Sequence, residues 1–137
     1  MSGCAKKEQV VEPQQAQTVQ PVQKAVAKPS TNSVYFAFDK SDLDSAARAT
    51  LDANAEWLNA NPSVDITIEG NCDQRGTREY NLALGQRRAD SVRDYLSQHG
   101  VAGSRIKTVS FGEERPVCKG TGEACWAQNR RADIVSK

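Results

Sequence analysis

A chain of 137 residues has room for one compact domain and a tail. Its 18 Lys and Arg stand against 17 Asp and Glu, so no strong field marks a nucleic-acid or anionic-membrane surface, and aromatics at 6% are too few for an interleaved base-stacking face. No apolar run is long enough to cross a bilayer.

The chain opens Met1-Ser2-Gly3-Cys4. Ser-Gly-Cys is similar to the end of a bacterial lipobox, whose Cys becomes the acylated first residue, so Cys4 is the expected lipidation site. No apolar signal segment precedes it, and the chain reads as one cut just before the lipid site. Residues 5–32 are rich in Gln, Val, Ala, Lys and Pro without helical or strand period, which predicts a disordered linker. Extended, it would reach about 90 Å at roughly 3.3 Å per residue; as a coil its span is nearer 30 Å. The expected division is therefore residues 1–32 as anchor and linker and residues 33–137 as the folded domain.

Val34, Phe36 and Phe38 alternate with Tyr35 and Ala37, which predicts a first strand. A helix is expected next, with Ser41 as N-cap and Asp44 three residues on. Leu43, Ala47, Leu51, Asn54 and Leu58 share its inner face, and Asn61-Pro62 stops it. The free N–H groups at its start, around Asp39 to Asp42, would suit an anion. Val64, Ile66 and Ile68 alternate with Asp65, Thr67 and Glu69, a half-buried second strand that ends at Gly70.

A polar turn with Asp73 and Gly76 leads into a long helix capped by Thr77, with Glu79 in its first turn. Leu84, Arg88, Val92 and Leu96 recur every four residues. Arg88 thus lies inside an apolar stripe and needs a partner, because an unpaired buried charge is very costly. Asp73, at the end of the adjoining strand, is the expected partner. Arg78, Arg87 and Arg93 read as a solvated face. Gly100 ends the helix, and His99 just before it reads as interacting with the helix C-terminus. With this one His, neither a Ser-His-Asp arrangement nor a His-based metal site is expected.

Arg105 to Phe111 reads as a third strand, and Arg130 to Ser136 as a last one, with a short helical turn possible around Glu123 to Ala127. Four Cys allow three pairings, and none has zinc-like spacing. Cys118 and Cys125 flank a short polar segment and are the expected disulfide, worth about 2–3 kcal/mol, with Cys72 left free. That bridge implies an oxidising compartment. The order β-α-β-α-β-(α)-β predicts an α+β sandwich of two layers.

The stretch Gly70 to Leu96 carries the pattern Gly-Asn-Cys-Asp-x-x-Gly-Thr-x-x-Tyr-Asn-x-x-Leu-Gly-x-x-Arg-Ala-x-x-Val-x-x-Tyr-Leu. It resembles the peptidoglycan-binding motif of OmpA-like C-terminal domains, and over about residues 33–137 the chain most resembles the lipid-anchored members of that family. Asn71 departs from the family pattern, which usually has His there. The resemblance implies helices packed on one face of a mixed four-stranded sheet. It implies meso-diaminopimelate of the peptidoglycan stem as ligand, a zwitterionic end with ammonium and carboxylate on one carbon. Asp73 would accept from the ammonium, and Arg88 would hold the carboxylate in a bidentate fork. The positions matching Phe38-Asp39-Lys40, and Thr77, Asn81 and Leu84, would border the pocket, and Arg130 would lie nearby. Backbone N–H groups near Ser41 would add donors.

The resemblance further implies TolB and other Tol-system proteins as partners, and an outer-membrane location facing the periplasm. The linker suits a domain that must reach a polymer lying off the membrane. An enzyme is the rival class, but hydrolysis needs an acid-base pair, a metal, or an activated Ser or Cys, and Cys72 has no His at hand. No catalytic residue, cofactor or metal is therefore expected. A purely protein-binding periplasmic module is the third class.

Overall fold

A computed structural model of the chain describes residues 26–136. The elements are β1 (Ser33–Tyr35), α1 (Ser45–Ala60), β2 (Ile66–Asn71), α2 (Arg78–Gln98), β3 (Ile106–Gly112), α3 (Glu123–Asn129) and β4 (Arg131–Ser136). The sheet runs β1-β4-β2-β3, with β4 antiparallel to both neighbours and β2 parallel to β3. The fold is therefore α+β, with a mixed four-stranded sheet. Cys4 and most of the expected linker lie outside the described residues.

One sheet face builds the core. Val34, Ile66, Ile68, Ile106, Ala132 and Ile134 meet Leu51 and Leu58 of α1 and Val92 and Leu96 of α2. The opposite face carries Tyr35 and Val135, both exposed, as expected when helices cover only one side. The expected helix stripe holds: Leu84, Arg88, Val92 and Leu96 are all buried. Thr77 caps α2 as expected, its hydroxyl accepting from the Tyr80 N–H. His99 closes α2, its Nδ1 2.8 Å from the Tyr95 carbonyl, and Gly100 follows with φ +97°.

Three expectations need correction. Helix α1 is capped by Asp44, whose Oδ1 accepts from Ala47 N, not by Ser41. The chain from Phe36 to Leu43 is non-helical, because its carbonyls at Ala37 and Lys40 turn to a guanidinium on α2. The backbone around Asp39 to Asp42 is thus no helix N-terminus, and the expected anion site there does not form. For the same reason β1 stops at Tyr35, and Phe38 stands 53% exposed. At the other end, part of the expected linker engages the domain. Lys28 Nζ donates to Ser136 Oγ, Asn54 donates to the Thr31 carbonyl, and Asn32 exchanges hydrogen bonds with Ile134.

Helix α2 touches β2 through bare backbone. A Cβ placed on Gly70 would fall 1.8 Å from the Gly85 carbonyl oxygen, and one on Gly85 would fall 2.3 Å from Ser110 Oγ. This close approach seats Leu84 and Arg88, one turn apart, over the C-terminal end of β2.

Candidate functional site

The side chain of Arg88 enters the core from α2 and is 1% exposed. Its Nε donates to Lys40 O at 2.8 Å, Nη1 to Asn71 O at 2.9 Å and Nη2 to Ala37 O at 3.0 Å. Three segments of backbone thus form a cage around one cation. Among the described residues no carboxylate lies within 4.0 Å of it. The expected Asp73–Arg88 ion pair is therefore absent. A guanidinium has five N–H donors, so three carbonyl bonds leave spare donors and leave the charge without a counter-ion. Burial pulls Arg88 below its ordinary value, with the Cys72 and Asp73 charges opposing that fall.

Asp73 follows β2 and is 4% exposed. Arg75 holds it on both oxygens, Nε to Oδ1 at 3.1 Å and Nη2 to Oδ2 at 2.7 Å, and the Arg75 N–H adds a 3.0 Å bond to Oδ1. Arg130 stands 3.6 Å away on the other side. Burial alone would raise the Asp73 carboxyl, but the hydrogen bonds and charge of Arg75, joined by the charge of Arg130, bring it below the ordinary 3.8. Arg130 is itself fixed by Glu123 at 2.7 Å and by the Phe36 carbonyl at 2.8 Å.

Between these two charges opens a cavity of about 220 Å³. Asp73, Arg88, Asn81, Leu84 and Asp39 line it, together with Phe38, Cys72, Arg75, Gly76 and Tyr80. Asn81 is pinned by its amide to Arg75 O and Glu113 Oε1, so it shapes the wall. Asp39 takes a left-handed φ of 59° and accepts from the Tyr80 hydroxyl across the rim. The other expected residues stand back. Lys40 contributes its carbonyl to Arg88, Thr77 is the helix cap, and Arg130 sits behind Asp73. Ser41 faces a different hollow with Asp42 and Tyr95.

Sequence reasoning missed Arg75, Gly76, Tyr80 and Trp126, and gave Cys72 no part in the pocket. Arg75 was legible only as a cation two residues past Asp73 in a turn. Cys72 is buried against the Asn81 carbonyl, and its thiol is pushed up to about 11, chiefly by burial. It is therefore no thiolate nucleophile at neutral pH. The Cys118–Cys125 disulfide is formed, and it holds the start of α3, where Glu123 and Trp126 reach the site. Among the described residues no cluster of His, Cys, Asp and Glu could hold a metal. The site lines one small cleft with a buried cation and a buried anion, which is the complement of a zwitterion.

Comparison with known proteins agrees with this architecture. The OmpA family model matches residues 35–133, and the chain belongs to the OmpA family. Within it, the chain is similar to the peptidoglycan-associated lipoprotein of Pasteurella multocida, 52% identical over 104 residues, covering 76% of this chain and 69% of the relative. The peptidoglycan-associated lipoprotein of Rhizobium meliloti is 52% identical over 102 residues, covering 74% of this chain and 58% of that one. The solved peptidoglycan-associated lipoprotein of Burkholderia pseudomallei superposes with a TM-score of 0.77 at 49% identity, over 79% of this chain and 92% of the other. These relatives are named for association with a polymer and for a lipid, not for a reaction.

Proposed function

We propose that the chain binds peptidoglycan non-covalently through the diaminopimelate of its peptide stem and tethers the outer membrane to the cell wall. The observation that carries this reading is Arg88: a buried guanidinium with spare donors and no acid partner among the described residues, lining a cleft. A ligand carboxylate would supply the missing counter-ion in a bidentate fork. The ligand ammonium would meet Asp73, which lines the same cleft. The volume of about 220 Å³ is below the 300–1,000 Å³ or so of drug-sized ligand pockets and has room for the charged end of one amino-acid side chain.

Lipid on Cys4 anchors the chain in the outer membrane in this proposal, with the domain in the periplasm. The Ser2-Gly3-Cys4 segment and the lipoprotein names of the relatives support it. TolB and other Tol-system proteins as partners rest on the family resemblance alone.

Sedimentation with purified diaminopimelate-type sacculi tests the reading. Asp73→Ala removes the ammonium acceptor and leaves the Arg88 cage whole. The expected loss is about 2–5 kcal/mol of binding, the usual cost of breaking a buried charge pair, with circular dichroism unchanged. Retention equal to the unsubstituted chain would remove Asp73 from the site.

A further inference from the structure

Asp73 is already occupied. The Arg75 guanidinium takes both its oxygens, at 3.1 and 2.7 Å, and its Cζ stands 3.9 Å from the centre of the Phe38 ring and 4.0 Å from that of Trp126. The guanidinium therefore sits on the carboxylate and against two aromatic rings at the wall of the cleft. Three arginines surround this acid or the cleft beside it, and they differ in how easily they can leave. Removing Arg88 would orphan three carbonyls. Removing Arg130 would orphan the Phe36 carbonyl and Glu123. The side chain of Arg75 is 31% exposed and makes its hydrogen bonds to Asp73 alone, so when it swings out the acid is the one hydrogen-bonding group to lose a partner, and the Phe38 and Trp126 rings lose only a stacking contact.

We propose that Arg75 is the resident occupant of the cation subsite, an internal guanidinium that a ligand ammonium must displace from Asp73. This inference rests on the zwitterion reading of the cleft. It makes Arg75 a specificity-determining residue. A ligand that brings a cation replaces the charge it displaces, and the buried carboxylate is never left bare. A ligand that brings only a carboxylate cannot replace it, because Asp73, 4% exposed, would lose two charge-assisted hydrogen bonds and keep only Arg130 at 3.6 Å. Such a ligand leaves Arg75 on Asp73 and gains only the Arg88 contact. The empty cleft meanwhile keeps its two charges apart, with Asp73 matched by Arg75.

Displacement lowers the apparent affinity by the fraction of molecules whose cleft is open. Removing the occupant should therefore tighten binding, not weaken it. Calorimetric titration of the full chain with the free tripeptide L-alanyl-D-glutamyl-meso-diaminopimelate reads this directly. Arg75→Ala is expected to bind about tenfold tighter, as an internal competitor that is absent from about one molecule in ten would dictate, and Arg75→Gln should move in the same direction. Emission from Trp126, isolated by Trp57→Phe, should change on binding in the chain with Arg75 and stay flat in Arg75→Ala. Equal or weaker binding by Arg75→Ala, with the unsubstituted chain still binding, would show that the guanidinium adds to the ligand's contacts and overturn the inference while the cleft reading stands. If the unsubstituted chain does not bind the tripeptide, the cleft reading fails and this inference fails with it.

Discussion

Arg88 carries two roles that a single deletion cannot separate. Its three carbonyl bonds join the β1–α1 segment at Ala37 and Lys40 to the end of β2 at Asn71. Each orphaned buried carbonyl costs about 1–3 kcal/mol, so Arg88→Ala weakens the fold as well as the site. Asp73 is the cleaner probe. Its folded value lies below the ordinary 3.8, so its contribution is fully present above that pH and is lost as pH falls through the folded value. Tripeptide affinity should therefore hold level from neutral pH down to about 4 and decline only below it. A decline that begins near pH 6 in titrations across that range would mean that another group controls binding. The burial of Arg88 was legible in the sequence from the four-residue recurrence of Leu84, Arg88, Val92 and Leu96. Its partners were not, because a backbone carbonyl has no signature in residue type. The nearest acid in the motif, Asp73, was the wrong inference for that reason, and Arg75 took the acid because a two-residue turn lets its side chain fold back.

At the scale of elements, the cleft depends on how closely α2 approaches β2. The Gly70–Gly85 contact sets that distance, with only 1.8 Å between a would-be Cβ on Gly70 and the Gly85 oxygen. Gly70→Ala must push the helix outward and carry Leu84 and Arg88 with it. Overpacking of this kind costs about 1–3 kcal/mol, which for a domain of this size lowers Tm by about 4–8 °C per kcal/mol. Thermal unfolding should show that loss together with weaker tripeptide binding, and an unchanged Tm would mean that the helix does not rest on that glycine. The motif displays both glycines, yet their purpose is tertiary and appears only once the strand and helix are packed. Caps behaved unevenly for a similar reason. Thr77 opens a helix with no competing demand and was readable. Ser41 lost to Asp44 because the carbonyls of the residues before the helix, at Ala37 and Lys40, were claimed by Arg88. The β-α-β-α-β-(α)-β order was readable throughout, since alternation and four-residue recurrence are local.

Across the whole molecule, the cleft and the incoming chain lie at opposite ends of the sheet. Ile66, at the start of β2, pairs with Ser136, beside Lys28. Asn71, at the other end of the same strand, gives its carbonyl to Arg88 at the cleft. The strand is six residues long, so its ends stand about 17 Å apart over five steps of roughly 3.4 Å. In the lipid-anchored arrangement proposed above, the cleft would face away from the point where the described chain begins, the orientation that a link between a membrane and a separate polymer requires. In the proposed mode of binding, Arg88 and Asp73 read the two charges at one end of the ligand. Calorimetry with two stem tripeptides, one ending in meso-diaminopimelate and one in L-lysine, separates those charges, because lysine keeps the side-chain ammonium and lacks the second carboxylate. The diaminopimelate peptide is expected to bind, with at least a tenfold loss for the lysine peptide, about 1.4 kcal/mol or more. Equal affinity for the two would show that Arg88 does not hold a ligand carboxylate.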